Sequence, residues 1–136
     1  MPAALERHHI EVLKDARTRL GVRGEGLALA GVRFWTRGPR DLARVLGKTA
    51  GPAILLAHDP RRLTEASALN MPGVLSGHAH GGQVVLPEVG AVARRRFPVL
   101  AGLGSRENTS IFVSRGLGTV YVPVSSIAHP RWRSSR

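Results

Sequence analysis

The chain has 136 residues, of which 43% are hydrophobic and 21% charged. This composition supports the core of one domain, or of a piece of a larger one, and excludes a disordered chain. Without cysteine there are no disulfides or thiolate metal ligands, and no apolar run approaches the roughly 20 residues that cross a bilayer. The start lacks the apolar core of a secretion signal, so the default expectation is a cytoplasmic protein, free or peripheral to the membrane.

Basic residues outnumber acidic ones by 20 to 9, which gives a formal net charge of +11. Most of the arginines are isolated, and only residues 94–96 and 131–136 form clusters. Aromatic residues make up 4% of the chain, too few for a platform on which single-stranded nucleic acid would stack. The sequence therefore argues against nucleic acid as the main partner, although the charge alone would favour it.

The first third of the chain contains two predicted helices and one predicted strand. Apolar residues at helical spacing over residues 5–20 predict an amphipathic helix, and the short apolar run at residues 27–32 predicts a strand. Pro39 is expected to open the second helix. The inward face of that helix is predicted to comprise Leu42, Val45 and Leu46, with Gly47 at its end. Phe34 and Trp35 are interpreted as packing residues rather than as a platform for a ligand.

A continuous apolar run at residues 53–57 predicts a strand that is buried on both faces. His58 stands at its carboxyl end. Asp59 and Pro60 are expected to be the N-cap and first residue of a third helix, which ends near Asn70. The inward face of this helix is predicted to comprise Leu63, Ala66 and Leu69. A short strand at residues 73–75 follows.

Alternating strands and helices with short connections predict α/β architecture with parallel neighbouring strands. Ligands bind such sheets at the carboxyl ends of the strands. His58 leaves one carboxyl end, and His78 and His80, in a loop rich in glycine, leave the next. Because one crossover helix separates the two strands, the three imidazoles are expected to converge. The sequence therefore predicts a metal site formed by His58, His78 and His80.

Short strands and glycine-containing loops are predicted for the rest of the chain. Residues 84–86 and 91–93 flank a turn, and residues 99–102 and 110–114 are expected to form a hairpin. Arg115 and Gly116 begin a second loop with two glycines, which is either a tight turn or a phosphate contact through Arg115.

Three segments resemble the calcineurin-like metallophosphoesterases, and in particular their bacterial phosphodiesterase branch. These are residues 55–60, 74–83 and 113–119, within a resemblance that covers about residues 20–122. The resemblance implies an α-β-β-α sandwich that hydrolyses phosphate mono- or diesters with two divalent ions, typically manganese, iron or zinc. It implies that His58 and His78 bind one ion and His80 the other, and that Asp59 orients or caps rather than binds metal.

Phosphate contacts are predicted for Gly77, Gly81 and Arg115, because glycine lets the backbone approach a ligand closely and arginine pairs with phosphate. The D-x-H, G-D-x-x-D and G-N-H-D/E motifs of the family's first half do not occur here. Residues 1–136 are therefore expected to be a single partial domain that corresponds to the C-terminal half, with weak or no turnover as an isolated chain. The alternatives are a non-catalytic remnant, a half-domain that pairs with a separate N-terminal chain, and a mononuclear zinc site with three histidines.

The last residues depart from the resemblance. Residues 125–136 are polar and basic where the family continues with an apolar strand. We hypothesise that this tail is translated from a shifted reading frame, in which case His129 is no metal ligand and the tail is no nucleic-acid arm.

Overall fold

The computed structural model describes residues 2–36, 38–47, 51–82, 85–86, 90–91 and 96–116. Several predicted features lie outside these residues: the strand residues 84 and 92–93, Arg94 and Arg95, the second loop from residue 117 onward, and the tail at residues 125–136.

The described chain forms three short helices and eight strands. The helices are α1 (Pro2–Glu6), α2 (Pro39–Leu46) and α3 (Arg62–Ala68). The strands are β1 (Ala16–Val22), β2 (Glu25–Val32), β3 (Ala53–Ala57), β4 (Gly73–Ser76), β5 (Val85–Leu86), β6 (Gly90–Ala91), β7 (Gly102–Arg106) and β8 (Thr109–Val113). None of the described helices is long and apolar enough to cross a membrane.

Six of the strands form one mixed sheet in the order β1-β2-β3-β4-β8-β7, while β5 and β6 pair separately. Strands β2, β3, β4 and β8 are parallel to one another. The edge strands β1 and β7 pair antiparallel with β2 and β8. Helix α2 connects β2 to β3, and α3 connects β3 to β4. The predicted α/β architecture is confirmed, as is the adjacency of the two strands that precede the histidine loops.

The hydrophobic core lies between the sheet and the two crossover helices, which contact each other and therefore cover the same face. Leu55 on β3 and Ile111 on β8 are fully buried there. The predicted inward residues of α2 are all buried, and in α3 Leu63 and Ala66 are buried while Leu69 is partly buried. Each large apolar side chain contributes about 1.5–3 kcal/mol by its transfer out of water.

The opposite face of the sheet is apolar and open. Leu75 pairs in register with Phe112, and these two side chains are 44% and 45% exposed. Leu20 on β1 is 46% exposed. Residues 11–13 cross the face, and a β-carbon on Gly31 would come 2.4 Å from the β-carbon of Leu13. A groove of about 690 Å³ remains beside this segment, so the crossover helices α2 and α3 leave this face uncovered.

The helix predicted over residues 5–20 is wrong. Helix α1 ends at Glu6, and residues 16–22 instead form β1, which pairs along its whole length with β2. Arg23 and Gly24 both have positive φ, 53° and 84°, as a two-residue hairpin turn of matching twist requires. The alternation of arginine with apolar or neutral residues in β1 has period two, and the helical spacing of the apolar residues masked it.

Two element boundaries also differ from the prediction. Helix α3 begins at Arg62, and its N-cap is Arg61 rather than Asp59. Asp59 instead starts the turn before the helix, where its carbonyl accepts from the backbone N–H of Arg62 over 3.1 Å and its carboxylate from that of Arg61. The first strand of the predicted hairpin starts at Gly102 rather than at residue 99.

Candidate functional site

The carboxyl ends of β3, β4 and β8 lie together and are tied by hydrogen bonds. The backbone N–H of Gly77 donates to the carbonyl of His58 over 3.1 Å, and that of Ser114 donates to the carbonyl of Ser76 over 2.8 Å. The buried hydroxyl of Ser76 also donates to the carbonyl of Ala57. These bonds fix the starting points of the loops that carry the candidate site residues.

Two of the predicted ligands form a close imidazole pair. Nδ1 of His78 lies 3.2 Å from Nε2 of His58, and the ring centroids are 4.9 Å apart. This separation suits one N–H···N hydrogen bond. It also suits two ligands of one ion, because metal–nitrogen bonds of about 2.0–2.1 Å at a tetrahedral angle place the nitrogens about 3.3 Å apart. The pair therefore fits a transition-metal ion that His58 and His78 would hold.

The loop that carries His78 has an unusual backbone. His78 and His80 have positive φ, 63° and 46°, and Gly81 and Gly82 continue at 64° and 88°. A residue with a β-carbon pays about 1–2 kcal/mol for this conformation. Ala79, between the two histidines, is buried and holds the loop against the core. Such strain in non-glycine residues is typical of functional sites, where the surrounding structure fixes it.

The surroundings of His78 favour its neutral form. Burial lowers the pKa of His78, and the nearby positive charges of His58, Arg61 and His80 lower it further, against an opposing effect of Asp59. Only a neutral imidazole has a lone pair for a metal ion. The neutral form that these surroundings favour is the one that the predicted metal site requires.

Aromatic rings surround the imidazole pair. The ring centroid of Phe34 lies 5.4 Å from that of His78 and 5.9 Å from that of His58, and Phe97 lies 5.5 Å from His78. Trp35 stands edge-on to Phe34 at 6.0 Å and is 73% exposed. The ring of Phe34 thus packs against both imidazoles, whereas Trp35 is largely exposed, and both extend from the carboxyl end of β2 beside the site.

An ion pair between the buried Asp59 and the exposed Arg61 follows His58. The Asp59 carboxylate accepts hydrogen bonds from the backbone N–H, Nε and Nη2 of Arg61. Burial raises the pKa of Asp59, but the side-chain and backbone hydrogen bonds from Arg61 outweigh it, and the pKa lies below its ordinary value. The guanidinium carbon of Arg61 lies 5.7 Å from the centroid of Phe97. Asp59 is thus engaged by Arg61.

His80 faces a different neighbour. A β-carbon on Gly116 would lie 3.7 Å from Nδ1 of His80, so the loop after β8 packs against this imidazole. Arg115 is half-buried in the same loop. Within the described ranges, no three His, Asp or Glu side chains are close enough together to hold a metal ion. The ligand role of His80 and the phosphate roles of Gly77, Gly81 and Arg115 stay predictions.

Part of this chain is similar to a metallophosphoesterase. An alignment of 80 residues, 57% of the chain, is 34% identical to the uncharacterized metallophosphoesterase YkuE of Bacillus subtilis (strain 168). The aligned part spans 28% of that relative's length. No family model matches the chain, and no solved structure does. This similarity supports a relationship to the metallophosphoesterases over the aligned residues.

Sequence reasoning missed the contribution of four residues to this site, namely Phe34, Trp35, Arg61 and Phe97. Phe34 and Trp35 follow the end of β2, so the rule that brought the histidines together would also have placed them here. The contact of Arg61 with Phe97 is tertiary, and nothing in the local pattern indicates it.

Proposed function

We propose that this chain is part of a metal-dependent phosphoesterase that hydrolyses phosphate mono- or diesters. His58 and His78 would hold one divalent ion, manganese, iron or zinc, and His80 would reach a second. The observation that carries this proposal is the 3.2 Å separation between Nε2 of His58 and Nδ1 of His78. The similarity to a metallophosphoesterase supports the same chemistry.

Each residue of the site has a distinct part in this proposal. A bound divalent ion supplies Lewis acidity and charge neutralisation to a phosphoryl group. The strained backbone of His78 and His80 aims the two imidazoles from opposite sides of Ala79. Gly77 and Gly81 leave the backbone accessible to phosphoryl oxygens, and the guanidinium of Arg115 would pair with them.

The isolated chain is expected to turn over weakly or not at all. In the described residues the imidazole pair has no carboxylate beside it that is free to bind metal, since Arg61 engages Asp59. Imidazoles alone give two adjacent divalent ions no negative charge to offset their repulsion. Carboxylate ligands would have to come from another segment.

Metal binding and hydrolysis test this proposal together. Calorimetric titration with Mn²⁺ and Zn²⁺ should show binding that His58→Ala and His78→Ala each weaken by at least about tenfold. His9→Ala is the matched control, because His9 is an exposed histidine in the turn after α1. Metal binding that survives both site variants would refute the proposal.

Hydrolysis of an aryl phosphodiester in the presence of Mn²⁺ then tests whether the isolated chain holds a complete active site. Turnover by the isolated chain that His78→Ala abolishes would show that the chain holds a complete site. One zinc ion per chain, lost in His58→Ala, with no second ion would favour the mononuclear alternative.

A second candidate function is a half-domain that pairs with a separate N-terminal chain. The open apolar face of the sheet favours it, because the groove there reaches His58 and Gly77 at the site. A second sheet packed about 10 Å away would cover Leu75 and Phe112 and bring its own residues to the imidazole pair. The occupant we propose is such a sheet, carrying carboxylates at its site end.

Dye binding and reconstitution test the pairing. The chain alone should bind a hydrophobic dye, and Leu75→Ser with Phe112→Ser should reduce this binding. A separate chain carrying the D-x-H, G-D-x-x-D and G-N-H-D/E motifs should displace the dye and raise phosphodiesterase turnover. A chain that binds no dye, or that buries this face by dimerising, would refute pairing with an N-terminal half.

A further inference from the structure

A second cavity lies beside the imidazole pair, on the side of α3. Its volume is about 430 Å³, and it is lined by Phe34, Asp59, Arg61, Arg62, Glu65 and Arg96. Phe34 belongs to both places, since its ring also contacts His58 and His78. The cavity is therefore a direct extension of the candidate site.

The cavity carries a net positive charge. Both of its carboxylates are already paired, Asp59 with Arg61 and Glu65 with Arg62. Arg96 is exposed and makes no hydrogen bond or ion pair with any residue in the described part of the chain. One full positive charge is thus left over for an anionic ligand.

Arg61 is held in a fixed orientation toward this cavity. Its Nε and Nη2 form a fork with the Asp59 carboxylate, and its guanidinium lies over the ring of Phe97. Asp59 does not engage Nη1, which leaves that nitrogen as a donor for a ligand. A guanidinium fixed in this way loses little entropy when it binds an oxyanion, and its planar donors match phosphate geometry.

We propose that this cavity binds a tetrahedral dianion, namely a second acidic group of the substrate that lies away from the scissile phosphate. This inference rests on the proposed function and deepens it, because it defines the substrate class as phosphoesters with a remote phosphate-like group. Arg61 and Arg96 are the residues that select this group. The ring of Phe97 contacts both the imidazole of His78, at 5.5 Å, and the guanidinium of Arg61, at 5.7 Å, so the two proposed phosphate positions share this aromatic neighbour.

The test measures binding of inorganic phosphate to the full chain in EDTA, so that no metal contributes. Trp35 reports on the cavity through Phe34, and Trp132→Phe removes the other tryptophan. Arg96→Gln should weaken phosphate binding by about tenfold. Arg106→Gln removes the same charge at the β7–β8 turn, which lies at the amino ends of β4 and β8 and therefore away from the site. This variant should leave binding within about twofold.

The outcomes separate this proposal from the proposed function. Phosphate binding that needs Arg96 but not His58 supports the cavity, whether or not the chain binds metal or hydrolyses esters. Binding that is lost in His58→Ala and kept in Arg96→Gln places phosphate at the imidazole pair and overturns the inference. Equal losses of phosphate binding in Arg96→Gln and Arg106→Gln would show that phosphate responds only to the overall charge, and this result overturns the inference. The absence of phosphate binding to the unmodified chain also overturns it.

Discussion

The left-handed backbone conformation of His78 leads to a prediction about stability. Two substitutions at this position distinguish the cost of backbone strain from the loss of side-chain contacts. His78→Ala and His78→Gly both remove the imidazole, so the two variants lose the same ring contacts. At φ 63° the β-carbon of alanine costs about 1–2 kcal/mol, whereas glycine adopts this conformation freely. The extra freedom of glycine in the unfolded chain offsets about 0.5–1 kcal/mol of this difference. His78→Gly should therefore be more stable than His78→Ala by about 0.5–1 kcal/mol.

Urea unfolding followed by circular dichroism, with EDTA present, measures this difference. With a slope of about 1–3 kcal/mol per molar urea, the midpoint of the glycine variant should lie roughly 0.2–1 M higher. Ala68→Gly is the control, because Ala68 is exposed at the end of α3 and glycine there should cost up to about 1 kcal/mol. If alanine is as stable as glycine at position 78, the backbone there is not strained and the reasoning is wrong.

Three further predictions concern the pH dependence and the core. Because burial and positive neighbours hold the pKa of His78 below its unfolded value of about 6.5, the unfolded chain binds more protons, and stability should fall as pH drops below that value. Unfolding midpoints between pH 5 and 8 should depend less on pH in His78→Ala. Leu55→Ala should cost about 2–5 kcal/mol in urea unfolding, whereas Leu75→Ala on the open face should cost under about 1 kcal/mol. Thr109→Val should stabilise the chain by about 1 kcal/mol, because the buried Thr109 hydroxyl has no hydrogen-bond partner among the described residues; a lower midpoint would contradict this.

Local patterns predicted the centre of the fold. The apolar run at residues 53–57 and the proline that opens α2 each specify their element without help from distant residues. The rule that parallel strands present their carboxyl ends at one edge then brought His58 and His78 together. These inferences hold because each depends on the chain within a few residues of itself.

Tertiary interactions decided what the sequence could not predict. Residues 16–22 form an edge strand because β2 offers seven partners, an interaction that helical spacing cannot reveal. The guanidinium carbon of Arg61 lies 5.7 Å from the ring centroid of Phe97, and no local pattern predicts this contact. The positive φ of His78 and His80 has no local signature either, since neither residue type requires it.

The edge position of β1 has a consequence for how the chain behaves at high concentration. An edge strand carries unpaired backbone groups on its outer side, and these can recruit a strand of another molecule into a growing sheet. Arg17 and Arg19 place positive charge along this edge, and Arg17 also donates to the carbonyl of Leu46 at the end of α2. Two copies that approached through β1 would bring like charges together. The arginines of β1 thus act as gatekeepers against fibril-like assembly, and their protection should weaken as added salt screens them.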